Sequence, residues 1–280
     1  MKLSFNSNAL KTLRVYKKNI SEHSKSINNI STGKKINSSK DNPNRISSLG
    51  NLEREIRGHQ ASSRNSQDTI SMIQSADSVM GTINERLTRI RELAVGMGNG
   101  TLQETEKNIV QNEIESLLDG IDYEVKNFSF NGLNVLGDEN INDNNNPGVV
   151  KTLTSGAPGE FTNIPVYNLT TEGLGIEGLD LVNMDTDSVL DKIDEASKQV
   201  INARTKLGSI GNTVESKVTH SKSLEDVLVG SKSKLEDADV ALEMMDFTKT
   251  LILSEANIKN MSKTIYFPSD IVNILGKLYK

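Results

Sequence analysis

One periodic stripe constrains this chain more than any other feature. Positions seven apart read Ile193, Val200, Leu207, Val214, Ser221, Leu228, Leu235 and Leu242. The interleaved set reads Ala196, Ala203, Ile210, Lys217, Leu224, Ser231, Ala238 and Met245. Apolar residues alternating at spacings of three and four make a coiled-coil seam. A seam this long predicts one helix running from about Thr186 through Met245, opened by a capping box at Ser188 and Asp191. Such a helix has nothing of its own to bury the stripe against, so it demands a long partner. The other end of the chain supplies one. Leu13, Tyr16, Ile20, His23, Ile27 and Ile30 follow the same spacing, with Lys11, Arg14, Lys17, Lys18 and Lys25 off the seam and Gly33 as a stop signal.

The sequence between these ends is less regular. A turn at Asp41 to Asn44 precedes a second helix, about Ile46 to Val95, striped by Ile70, Ile73, Ala76, Met80, Ile83, Leu87, Ile90 and Ala94. Its stretch Arg57 to Asp68 is almost wholly polar, which predicts exposure or cover from other chains. Gly96 to Gly100 breaks the helix, and Thr101 with Glu104 signals a third one with the stripe Val110, Ile114, Leu117, Ile121 and Val125. Asn131-Gly132, set between β-prone residues, predicts a hairpin over Phe128 to Leu136. Gly137 to Gly148 reads as a loop, and 149–186 as a small irregular or β-containing insert. Pro268 is expected to end or interrupt the last helix, beyond which Ile271, Ile274, Leu275 and Leu278 form a final apolar patch. The predicted class is mainly α: a long antiparallel helical bundle or coiled coil of N- and C-terminal segments, a small β-hairpin, and an insert looping out at the far tip. Both seams carry small or polar residues (His23, Ser221, Ser231), so an isolated pair of terminal helices is marginal and gains from neighbouring copies.

Composition agrees with an elongated molecule rather than a compact globule. Aromatics are 4% and Trp is absent, so the side chains that usually fill a spherical core are scarce. Cysteine is absent, which excludes disulfides, thiolate nucleophiles and cysteine zinc sites. Residues 1–15 lack a secretory h-region, and no stretch reaches the roughly 20 apolar residues of a membrane span. Residues 1–45 carry ten Lys/Arg against two Asp/Glu, a local +8 that leaves −13 for the remainder. Without interleaved aromatics, this basic arm reads as a solvated helix face rather than a nucleic-acid or membrane surface. His23, His59 and His220 stand apart from one another, and no H-E-x-x-H, Walker or G-x-S-x-G pattern occurs. No catalytic residue, cofactor site or metal site is predicted.

Six motifs then carry a family resemblance. Ser31 to Asp41 (STGKKINSSKD), Arg64 to Asp68 (RNSQD), Leu87 to Val95 (LTRIRELAV), Phe130 to Leu136 (FNGLNVL), Arg204 to Gly208 (RTKLG) and Leu235 to Asp239 (LEDAD) resemble, in order, signature segments of the bacterial flagellins. The likeness spans about 1–137 and 188–275. The chain departs from the family pattern at Asn42 to Arg45, at Lys263 to Phe267 and in its last residues, Leu275 to Lys280.

The resemblance implies a structural subunit rather than an enzyme, one that self-polymerises into the flagellar filament for swimming. It would be exported by the flagellar type III apparatus without a Sec signal and located outside the cell. Implied partners are further copies of the chain, an export chaperone, the filament cap and hook-associated junction proteins. The alternatives are the flagellin-like hook–filament junction protein and a free coiled-coil binding module. The implied organisation is an inner coiled coil of 1–44 and 235–280, a helical rod of 45–137 and 188–234, and a variable insert of 138–187. The expected inner-core assembly residues are Leu13, Tyr16, Ile20, Ile27, Ile30, Leu235, Leu242, Met245, Ile252, Ile271, Ile274, Leu275 and Leu278. Arg89, Leu93 and Glu113 match positions that in the family pack between subunits and contact the flagellin-sensing Toll-like receptor of animal hosts. The Ser and Thr residues of 152–171 are candidate O-glycan acceptors.

Overall fold

The computed structural model describes the backbone of residues 7–98, 103–138, 141, 144, 146–156, 159–181 and 185–278, with side chains within 10–263. The elements are α1 (Ser7–Thr32), α2 (Pro43–Met97), α3 (Glu104–Asn127), β1 (Gly148–Leu153), β2 (Phe161–Val166), α4 (Thr186–Glu236) and α5 (Val240–Leu278). They fall into two compact units. The terminal unit comprises Met1–Arg54 and Leu228–Lys280, and the central unit Glu55–Val227.

The central unit holds the continuous apolar core. Met80, Ile83, Leu87, Ile90 and Ala94 of α2 are fully buried against Ile114, Ile121 and Val125 of α3 and Ile193, Ala196 and Val200 of α4. Most of each expected stripe is buried, but Ile70, Val110, Leu117 and Ile210 are half-buried and Leu224 is exposed, while Leu118 and Val218 are buried outside the expected sets. The Asn-Gly turn forms as expected, but a single bridge, Phe130 to Leu133, closes it in place of a hairpin over Phe128 to Leu136. Asn131 and Gly132 adopt φ of 51° and 80°, the pair of positive angles a two-residue type I′ turn requires. Phe130 and Leu133 exchange backbone hydrogen bonds of 2.9 and 3.0 Å across it.

The insert differs from expectation, because it does not loop out. β1 and β2 pair antiparallel, Gly148 opposite Val166 through Leu153 opposite Phe161. Ile164, Val166, Leu169, Leu174, Ile176 and Leu179 then join the helical core. Burying these apolar groups outweighs the entropy of fixing an irregular segment. The polar stretch of α2 is largely exposed, as one of the two expectations had it, and this same chain covers only the face of Ser62 and Ser66: Asn65 Nδ2 donates to the Leu153 carbonyl (3.4 Å) and Ser66 Oγ to that of Thr154 (3.4 Å).

Several boundaries also differ. α3 begins two residues past the expected cap, where the Glu106 carboxylate accepts the Gln103 N–H at 3.1 Å; Thr101 lies outside the described residues. α4 starts before Ser188, whose hydroxyl donates to the Asp185 carbonyl inside the first turn. The long seam does not continue to Met245. It breaks between Glu236 and Val240, because the Asp239 carboxylate accepts the N–H groups of Ala241 (3.0 Å) and Leu242 (3.2 Å) and so starts a new helix. Pro268 does not end α5, which runs through it to Leu278. A proline removes one helical hydrogen bond and adds a clash, a local cost of about 3 kcal/mol that need not terminate a helix.

Candidate functional site

The terminal unit is built with its polar residues inside. α1 packs antiparallel on α5. Asn19, Ser26 and Asn29 of α1 and Thr250 and Ser254 of α5 are buried, while Tyr16, His23, Glu243, Phe247 and Asn257 are half-buried. The His23 ring stacks on Phe247 at 4.6 Å, and its Nδ1 lies 3.0 Å from Thr250 Oγ1. Asn29 Nδ2 donates to Glu243 at 2.9 Å. The expected seam is thus one residue out of phase. Tyr16, His23 and Ile30 belong to the packed stripe, but Asn19 and Ser26 replace Ile20 and Ile27, which are 42% and 44% exposed. α5 is similarly inverted, with Leu242, Met245 and Ile252 exposed by 54%, 63% and 61%. Leu13 and Leu235 are half-buried. The side chains of Ile271, Ile274, Leu275 and Leu278 lie outside the described residues.

A latch joins the connection after α1 to the break between α4 and α5. Gly33, at φ +70°, closes α1 in the left-handed conformation glycine tolerates. Beyond it, the Lys35 N–H donates to the Glu236 carbonyl and the Ala238 N–H to the Gly33 carbonyl, both at 2.8 Å. The Glu236 carboxylate is held between Lys34 and Lys232, and Lys232 reaches Glu53 of α2 at 2.8 Å. These carboxylates, the hydrogen bond to Glu53 first, raise the Lys232 pKa above its ordinary value. Asp41 accepts the N–H groups of Asn37 (3.0 Å) and Ser38 (2.8 Å), and Asn42 Oδ1 accepts that of Arg45 (3.2 Å). Asn42 therefore caps α2 with Pro43 at its first position, where a missing N–H costs nothing. Neither the inverted seam nor the latch is predicted by hydrophobic periodicity, since their decisive residues are polar.

In the central unit, the expected surface trio comes together. Arg89 Nη2 donates to Glu113 at 2.9 Å and its Nη1 reaches Glu92 at 3.4 Å, while Leu93 is half-buried and packs against the core. The hydrogen bond that Arg89 donates to Glu113 is the main cause holding the Arg89 pKa above its usual value. Arg91 pairs with Asp194 at 2.7 Å, and Arg204 grips Asp77 with two bonds of 2.8 and 3.2 Å. Of the candidate glycan acceptors, Thr154, Thr170 and Thr171 are buried. Among the described residues, no group of three or more His, Cys, Asp or Glu is placed to hold a metal ion, and no helix is long and apolar enough to cross a membrane.

Polar residues between α1 and α5, with apolar residues on their outer faces, give the terminal unit of this helical protein a surface suited to association. Residues 3–141 match the bacterial flagellin N-terminal helical region, and residues 190–275 the bacterial flagellin C-terminal helical region. The chain belongs to the bacterial flagellin family, a family of structural proteins and not of enzymes. The flagellin of Bacillus subtilis (strain 168) is 28% identical over 98% of this chain and 100% of its own length. The flagellar filament 33 kDa core protein of Treponema phagedenis is 25% identical over 90% of this chain and 91% of its own. A solved structure of a putative flagellar hook-associated protein from Vibrio parahaemolyticus shares the fold, with a TM-score of 0.59 and 16% identity over 70% of this chain and 100% of that one.

Proposed function

We propose that this protein polymerises with copies of itself into a flagellar filament that serves swimming, and that the outward apolar faces of α1 and α5 are what neighbouring copies bury. The inverted terminal unit carries this reading. Its internal contacts include polar ones, hydrogen bonds worth about 0.5–1.5 kcal/mol each, whereas burying one exposed Leu, Ile or Met yields about 1.5–3 kcal/mol. The larger gain is therefore available only between copies. Ile20, Ile27, Leu242, Met245 and Ile252 are the residues assigned to that contact, and Leu13, Tyr16, Ile30 and Leu235 support it from the seam. Ile271, Ile274, Leu275 and Leu278 continue the assignment along α5.

Seeded growth followed by electron microscopy tests it. The wild-type chain is expected to elongate on filament seeds. Met245→Ser with Ile252→Ser forgoes on the order of 3–6 kcal/mol of burial per copy, which raises the critical concentration more than about a hundredfold. Deleting 271–280 is expected to abolish growth while the α4 core stays folded. Wild-type growth kinetics from either variant overturns the assignment. Copy number in sheared filaments separates a filament subunit from a hook–filament junction protein, which would form only a short ring.

Export through the type III apparatus, and dealings with an export chaperone, the filament cap and junction proteins, follow from the same reading. So does an extracellular location in the filament. The Arg89, Leu93 and Glu113 patch is proposed as a packing surface that a host Toll-like receptor also contacts. Its charged fork and adjacent apolar anchor are side chains of the type that dominate interfaces. Arg89→Ala with Leu93→Ala is expected to lower reporter-cell activation tenfold or more, at about 1–2 kcal/mol per truncation. Equal potency of mutant and wild type removes the receptor assignment and leaves packing alone.

A further inference from the structure

The Asn131-Gly132 turn holds chemistry that the fold leaves unused. An asparagine amide is labile when glycine follows it, because no Cβ blocks the next backbone nitrogen from reaching the side-chain carbonyl carbon. This turn keeps that approach open. Both residues are exposed, and a Cβ on Gly132 would meet nothing within 4 Å. The two backbone hydrogen bonds of the turn run between Phe130 and Leu133, so the Gly132 N–H is not one of their donors. Among the described residues, the Asn131 side chain has no hydrogen-bond partner either. A turn closed by one bridge opens locally at little cost. Asn131 can then leave its φ of 51° and bring Cγ onto the Gly132 nitrogen. Asn134, three residues on, is the contrast. Its Oδ1 accepts the N–H groups of Leu136 (3.0 Å) and Gly137 (2.9 Å), and its Nδ2 donates to the Val125 carbonyl at 3.0 Å. That amide is held at both ends and is followed by a buried valine.

We propose that Asn131 is a site of spontaneous deamidation, a modification that consumes only water. The Gly132 nitrogen gives its proton to hydroxide and attacks Asn131 Cγ. The new N–Cγ bond closes a succinimide ring, and the Cγ–Nδ2 bond breaks to release ammonia. Water then opens the ring without any oxidation or reduction. Addition at Cγ breaks the N–Cγ bond and leaves aspartate. Addition at the Asn131 backbone carbonyl breaks the original peptide bond and leaves isoaspartate, with the main chain routed through Cγ. Either product places a carboxylate on the groove that Asp68 also lines. Isoaspartate also lengthens the backbone by one carbon, which a two-residue type I′ turn does not accommodate. The bridge between Phe130 and Leu133 is therefore the contact that ageing removes. This chemistry goes beyond the filament reading and does not depend on it.

Ageing the dilute wild-type chain in mildly alkaline buffer, beside a copy unfolded in urea, tests the site. Peptide fragmentation by mass spectrometry locates each converted residue and separates aspartate from isoaspartate. In the native chain Asn131 is expected to convert at least about tenfold faster than Asn134, and within about tenfold of its own rate in urea, since little opening is needed. The rate should rise with hydroxide, and Asn131→Gln should abolish conversion at this position. A native Asn131 that keeps its amide while the unfolded chain loses it overturns the proposal, because the turn would then protect the residue. Conversion no faster than at Asn134 overturns it as well. In the isoaspartate fraction, the Leu133 amide should exchange its hydrogen at least about tenfold faster than in fresh protein; unchanged protection rejects loss of the bridge.

Discussion

Ser254 shows how a single side chain exposes the logic of the terminal unit. Its Oγ is buried without a hydrogen-bond partner among the described residues. A buried hydroxyl left unpaired costs about 1–3 kcal/mol, so Ser254→Ala is expected to stabilise the terminal unit by about 1 kcal/mol, against the usual sense of a truncation. Thermal denaturation of the monomer gives the sign, and a lowered midpoint contradicts the burial argument. Gly156 works the other way. A Cβ there would lie 2.7–2.8 Å from the His59 ring, and that ring is held by Ser221 Oγ at 3.0 Å. Gly156→Ala is therefore expected to cost about 1–3 kcal/mol by overpacking, read as a lower urea midpoint. Lys232 gives a pH dependence with a definite sign. Its folded pKa is raised by Glu53 and Glu236, so its contribution to stability is complete below the ordinary lysine range and is lost as pH rises through the raised value. Glu236→Gln is expected to flatten that alkaline loss; an unchanged alkaline limb in a pH series of urea melts rejects the latch as its source.

At the scale of elements, legibility follows what periodicity can and cannot report. α2, α3 and the first half of α4 have one apolar stripe each, so Ile73 to Ala94, Ile114 to Val125 and Ile193 to Leu207 are placed correctly by spacing alone. α1 offers two stripes at the same spacing, one with Ile20 and Ile27 and one with Asn19 and Ser26. Hydrophobicity selects the first for the intramolecular seam, and the structure packs the second. Spacing identifies the apolar stripe but not its partner, because a lone sequence does not say whether a stripe meets its own chain or another copy. The break at 237–239 was missed for a related reason: Asp237 and Asp239 are ordinary surface residues to a heptad, and only the capping bonds of Asp239 and the Ala238 N–H to Gly33 reveal the turn. A prediction follows for the elements themselves. Held by a polar seam, α1 and α5 should exchange amide hydrogens much faster than α2 and α4 in dilute monomer, and become protected on assembly. Equal protection of all four helices in the monomer contradicts a marginal seam.

For the whole molecule, charge is divided as sharply as polarity. The terminal unit nets +8 and the central unit −13, giving −5 overall. Polymerisation packs many copies of this asymmetric charge together, so the sign of the salt effect reveals which units meet. If like units face one another, as the apolar α1/α5 faces require, repulsion opposes growth at low ionic strength. It fades as the Debye length falls from about 30 Å at 0.01 M to about 8 Å at 0.15 M. If instead the basic terminal unit of one copy sat on the acidic central unit of the next, attraction would be screened over the same range and growth would weaken. Apolar burial itself changes little with sodium chloride at these concentrations, whereas sulfate strengthens it directly; chloride is therefore the discriminating salt. The critical concentration for seeded growth is expected to fall severalfold between 0.01 and 0.15 M sodium chloride. A critical concentration that rises over that range would mean that oppositely charged units pair between copies, and would reassign the contacts of Met245 and Ile252 together.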